Sequence, residues 1–151
     1  MLTILSTLMV LIFAACNDPA LYREKAEFPS GIWMAADTVV FSTVIQDTSK
    51  SYDIHMEVCH DPEFSFQNLY VKVLTSFPND SIADQVLSLQ LSDGKGRWAG
   101  ECKSDCNVKI PLSDSVRIRQ AGQYAFKFIQ YSRNENLRGI NALEFSLAEH
   151  N

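Results

Sequence analysis

Histidine, glycine and tryptophan are scarce in this chain. Its 151 residues include three histidines, six glycines, two tryptophans and four cysteines. So few histidines and cysteines leave few ways to assemble a nucleophile with its base. The phosphate-cradling loop G-x-x-x-x-G-K-[ST], the dinucleotide fingerprint G-x-G-x-x-G, the zinc-protease signature H-E-x-x-H and the nucleophile elbow G-x-S-x-G are all missing. Positive charge is also short: 13 Lys and Arg stand against 18 Asp and Glu, for a formal charge of −5. No basic stripe is present, which excludes the electrostatic footprint of a nucleic-acid binder. Nor is there an apolar run of the roughly 20 residues that span a bilayer.

What is present describes a folded chain. Hydrophobic residues make up 46% and charged residues 21%, which argues against disordered, collagenous and low-complexity classes. At about 150 residues per domain the length fits one domain.

Residues 2–15, LTILSTLMVLIFAA, carry no charged side chain. This run fits the hydrophobic region of a signal peptide. Phe13-Ala14-Ala15-Cys16 looks like a lipobox, although Phe13 stands where leucine is usual and the basic n-region is missing. Cleavage before Cys16 would leave its sulfur to carry lipid and its freed amine to take a further acyl chain such as palmitate. At about 0.8 kcal/mol per buried CH₂, several chains anchor firmly where one is marginal. The other reading is cleavage elsewhere, with Cys16 an ordinary thiol. The expected organisation is a signal peptide over 1–15, a lipidated tether over 16–30 and a folded domain over 31–151.

From residue 38 onward apolar and polar residues alternate with the period of strands. Expected strands cover 38–45, 51–59, 68–77, 85–91, 97–101, 108–110, 115–119, 123–131 and 142–148, with one helical turn allowed over 81–87. Turn signals separate them: Gln46-Asp47-Thr48-Ser49, Asp61-Pro62, Pro78-Asn79-Asp80, Asp93-Gly94-Lys95-Gly96 and Ala121-Gly122. This pattern predicts an all-β antiparallel sandwich, Ig-like or jelly-roll-like, of about eight strands.

The candidate chemistry is thin. His55 sits on an outward strand face, His60 at a strand end, and His150 beside the last residue, so each is expected at the surface. Asp61 and Glu63 could form a glycosidase pair, but nothing favours them over other carboxylates. With Cys16 lipidated, Cys59, Cys102 and Cys106 remain, so at most one internal disulfide forms. Cys102 and Cys106 share a polar loop and are expected either as a disulfide or as free thiols. A metal site would need the adjacent Cys59-His60 pair, whose side chains point to opposite faces of a strand. No metal, cofactor, small-molecule substrate or catalysis is therefore expected. Trp33 and Trp98 have two readings: stacking platforms for sugar rings, or caps on the core with their N–H bonded; the second is preferred.

The segment from Gly122 to Ile140, GQYAFKFIQYSRNENLRGI, resembles the C-terminal half of the gliding-motility lipoproteins of the GldH family, from Bacteroidetes. Gly122, Tyr124, Phe126, Gln130, Arg133, Asn136, Leu137, Gly139 and Ile140 carry the likeness. The hairpin Asp93-Gly94-Lys95-Gly96-Arg97-Trp98-Ala99-Gly100, the pair Phe77-Pro78 and the early Gly31-Ile32-Trp33 add to it. Ser132 departs from the family's methionine, and the Cys102–Cys106 loop is not part of its pattern. The resemblance implies a non-catalytic lipoprotein accessory to gliding motility or type IX protein secretion. It implies an anchor in the membrane, most naturally the outer membrane facing the periplasm, and contacts with other envelope proteins. Within the motif, Leu137 is expected to return to the core and Gly139 to permit a turn. Arg133 is expected to staple its loop, with an interface anchor as the second reading. A glycan-binding module on the envelope is the alternative function.

Overall fold

The computed structural model describes residues 20–150; the signal segment and Cys16 lie outside the described residues. Among the described residues there are eleven strands and no helix: β1 Ala20–Glu27, β2 Ile32–Met34, β3 Val39–Ile45, β4 Ser51–His60, β5 Asn68–Ser76, β6 Ile82–Gln90, β7 Glu101–Cys102, β8 Cys106–Arg117, β9 Gly122–Gln130, β10 Asn136–Arg138 and β11 Ile140–Glu149. They form a five-stranded sheet ordered β1-β11-β4-β8-β7 and a four-stranded sheet ordered β3-β9-β5-β6. A two-stranded ribbon, β10-β2, stands apart from both. Every pairing is antiparallel.

The inner faces pack as the alternation predicts. Phe41 on β3, Val71 on β5, Phe128 on β9, Met56 on β4 and Leu143 with Phe145 on β11 are all buried. Phe145 is the hub. Its ring lies 5.4 Å from Phe41, 4.8 Å from Phe126 and 5.8 Å from Phe128, joining one sheet to the other. This is the all-β antiparallel sandwich expected from the sequence.

Several local expectations change. Strand β1 lies within the segment read as tether. Its Tyr22-Arg23-Glu24-Lys25 run looks too charged for a strand, but an edge strand buries one face only. Tyr22 places its ring edge-on to Phe145, and Arg23 pairs with Glu144 at 2.6 Å. Residues 82–87 continue as strand β6 rather than turning as a helix. The segments 108–110 and 115–119 fuse into β8, whose partner β4 shifts register on both sides of Ile54. That irregularity accommodates Pro111, which has no N–H to donate. The expected strand at 97–101 shrinks to a bridge between Ser92 and Trp98 and the two residues of β7. Here the Asp93 carboxylate accepts the backbone N–H of both Lys95 and Arg97, at 2.9 Å each, and holds the segment as a turn.

The strand directions define two ends. β1 enters beside the C-terminal end of β11, where Ala20 pairs with Ala148, and Gly122 and Ser51 lie at the same end. The opposite end carries the loops around Trp33, 61–67, 92–100 and 131–139. Strands of ten residues, such as β4, separate the two ends by about 30 Å.

Candidate functional site

The sequence elements singled out at Gly31-Ile32-Trp33 and Asn136-Leu137-Arg138-Gly139 meet at this far end. Together they form the β2-β10 ribbon, in which Leu137 lies opposite Trp33. Gly139 N–H donates to the Gly31 carbonyl at 2.8 Å. Both glycines hold positive φ, +63° and +90° for Gly31 and Gly139, a region costly for residues with a Cβ. A Cβ on Gly139 would also lie 3.0 Å from the Phe64 ring. Trp33 is fully buried, stacked on Phe28 at 5.4 Å, and its Nε1–H donates to the Asp37 carbonyl at 2.8 Å. Trp33 and Leu137 are therefore caps on the core, and the ribbon fixes the loop between β9 and β10.

That loop has a staple, but it is not Arg133. Buried Gln130 donates from Nε2 to the Asn134 carbonyl at 2.7 Å, while its Oε1 accepts from the Ser132 backbone N–H at 2.9 Å and hydroxyl at 2.6 Å. Ser132 thus contributes to the loop's own hydrogen bonding. Arg133 has no hydrogen bond or ion pair among the described residues, and its side chain is exposed. Asn136 is exposed within β10.

The other sequence candidates fall elsewhere. Trp98 is half-buried; its Nε1–H donates to the Pro62 carbonyl at 2.9 Å and its ring meets His60 edge-on at 4.4 Å. Trp33 therefore offers no free stacking face, and Trp98 is pinned at its N–H and by His60. His60 is fully buried, contrary to the expected surface position, because it faces the core between Phe64 and Trp98. Its Nδ1–H donates to the Asp61 carbonyl at 2.8 Å, leaving Nε2 buried without a partner. His150 is tied to Asp53 at 2.8 Å. Asp61 accepts from Asn141, which also donates to Asp105, so its carboxylate serves the scaffold; Glu63 is exposed. Cys102 and Cys106 sit opposite each other on β7 and β8 and are joined by a disulfide, with Cα atoms 3.9 Å apart. Cys59 is a free thiol, and burial pushes its pKa up, so its nucleophilic thiolate form is disfavoured.

A groove of about 900 Å³ opens at the far end, lined by Phe64, Phe66, Asn68, Leu69, Tyr70, Val86, Tyr131, Ser132, Arg133, Asn134 and Leu137. It runs from the outer face of β6, across Tyr70 on β5, to the loop after β9. Phe66, Tyr70, Val86 and Tyr131 are large apolar side chains left 43–58% exposed. Clustered exposed aromatics of this kind mark a docking or ligand surface. Arg133 is the one charged residue in the lining. Sequence reading missed Phe66, Tyr70 and Val86. The available signal was that Tyr70 and Val86 occupy the solvent side of amphipathic strands, where polar residues are usual.

Comparison with known proteins adds the lineage. A protein-family model described as GldH lipoprotein matches residues 20–146. A protein of Christiangramia forsetii, named Gliding motility lipoprotein GldH homolog, is 23% identical over 137 residues, which are 89% of this chain and 83% of the relative. Gliding motility lipoprotein GldH of Flavobacterium johnsoniae is 22% identical over 139 residues, covering 91% and 86%. Among solved structures, CBM35 from Cellvibrio japonicus Abf62 aligns with a TM-score of 0.33 at 14% identity, over 76% of this chain and 70% of that one. Infectious bursal disease virus Gx strain aligns at 0.35 and 13%, over 85% and 30%. The family match spans the ribbon, the stapled loop and both sheets, and this chain belongs to the GldH lipoprotein family.

Proposed function

We propose that this chain is a lipid-anchored, non-catalytic accessory of gliding motility and/or type IX protein secretion, acting by contacts with other envelope proteins. Cys16 carries the lipid, and the chain stands on the periplasmic face of the outer membrane. Family membership and the names of its relatives support the motility role. The observation that carries the contact role is the exposed aromatic groove beside Arg133. Its position supports the anchor as well. Cys16 precedes Ala20 by four residues, and Ala20 enters at the end of the sandwich opposite the groove. A lipid there turns the groove away from the membrane, towards soluble partners. The non-catalytic reading rests on His60 and His150, both hydrogen-bonded within the scaffold, and on Cys59, whose burial disfavours the nucleophilic thiolate.

The test is a deletion strain complemented with wild type or with Cys16→Ala. We expect reduced type IX cargo in the medium and reduced colony spreading, both restored by wild type and not by Cys16→Ala. Normal secretion and spreading in the deletion strain would overturn the proposal.

A further inference from the structure

The partner chemistry of the groove can be taken further, on the reading just given that the groove is a docking surface. Its floor and walls are mainly apolar, with Tyr70 and Val86 on one side and Tyr131 and Leu137 on the other, and Asn68, Ser132 and Asn134 are its neutral polar members. Its lining holds one cation, Arg133, and no carboxylate. The neighbouring outer-face cation is already matched, since Lys72 pairs with Asp84 at 2.9 Å. Arg133 is relieved of structural duty, because Gln130 and Ser132 close its loop. A planar guanidinium with five free donors beside aromatic rings recognises carboxylates, in bidentate geometry, better than it recognises neutral groups. The distance from Val86 on β6 to the loop after β9 crosses two strand spacings, about 10 Å. That is the length of roughly three extended residues.

We propose that the groove receives a short extended segment of a partner protein that carries a bulky apolar side chain next to a carboxylate, with the apolar side chain between Tyr70 and Tyr131 and the carboxylate on Arg133. The single cation among mainly apolar side chains, with no carboxylate in the lining, favours an acidic apolar peptide over a neutral glycan.

The experiment uses the full-length chain in detergent micelles and two probe peptides with a fluorescent label at the N-terminus and an amidated C-terminus, Phe-Leu-Asp-Phe and its amide counterpart Phe-Leu-Asn-Phe, so that the aspartate is the one carboxylate that differs. We expect the aspartate peptide to bind about five-fold more tightly, the scale of an ion pair at a partly open surface. Arg133→Gln should remove that preference while leaving the weaker amide binding in place. Tyr70→Ser with Tyr131→Ser should weaken both peptides together, and circular dichroism should stay that of a β protein. Equal binding of the two peptides to wild type would overturn the proposal. So would a preference that survives Arg133→Gln, or displacement of neither peptide's signal while chitooligosaccharide binds at the groove. The peptide preference is read without cells. A normal deletion phenotype with intact preference would therefore sink the physiological role alone, and the reverse result would sink the partner chemistry alone.

Discussion

Gly139 and Phe145 show how single residues control this molecule. A methyl group at position 139 has to fit a positive φ and lie against Phe64, so Gly139→Ala should cost about 1–3 kcal/mol. Urea unfolding would measure it, and fluorescence should report the disturbance, because Trp33 pairs with Leu137 in the same ribbon. Phe145→Ala removes the ring that touches three aromatic residues of the facing sheet, with an expected loss of about 3–5 kcal/mol. Its role was visible as an apolar position in an alternating strand, but its place as hub was not, because contacts between sheets leave no mark on local sequence. Arg133 and Gln130 make the same point. Both fell in a recognisable motif. Their division of labour, Gln130 holding the loop and Arg133 facing solvent, depends on which side chain points inward, and the loop sequence alone does not fix that.

Strands with strong alternation, such as β4, β5, β9 and β11, were legible almost to the residue. The missed elements are those that gain their order from a neighbour. β1 owes it to β11, and β2 and β10 owe it to each other. Removal of residues 20–27 should therefore expose the edge of β11, and we expect aggregation or loss of cooperative unfolding rather than a shorter tether. Strand β1 also carries a titration signature. Burial, helped by its hydrogen bond to Glu24, raises the Tyr22 phenol from 10.0 to about 12. A raised phenol pKa means that the folded state holds the proton more tightly. The stabilising contribution is present below pH 10 and is lost as pH rises towards about 12. Burial also raises Tyr52 and Tyr124, so phenolate absorbance should show a late step that Tyr22→Phe reduces by one tyrosine.

At the scale of the whole molecule the central feature is polarity of position. The chain enters at one end of the sandwich, and the motif-bearing ribbon, the stapled loop and the aromatic groove lie at the other. Two segments about a hundred residues apart build the ribbon, and two loops together with β5, β6 and β10 build the groove. The first convergence was hinted at by the family motifs, while the second became visible only in three dimensions. The account holds that this far end is where envelope partners dock. Site-specific photocrosslinking in living cells addresses that most directly, with the crosslinker placed at Tyr131 in the groove or at Lys109, exposed on β8 of the other sheet. We expect a discrete protein adduct from position 131 that is weakened several-fold by Arg133→Gln, and none from position 109. Adducts from both positions alike, or from neither, would contradict the account.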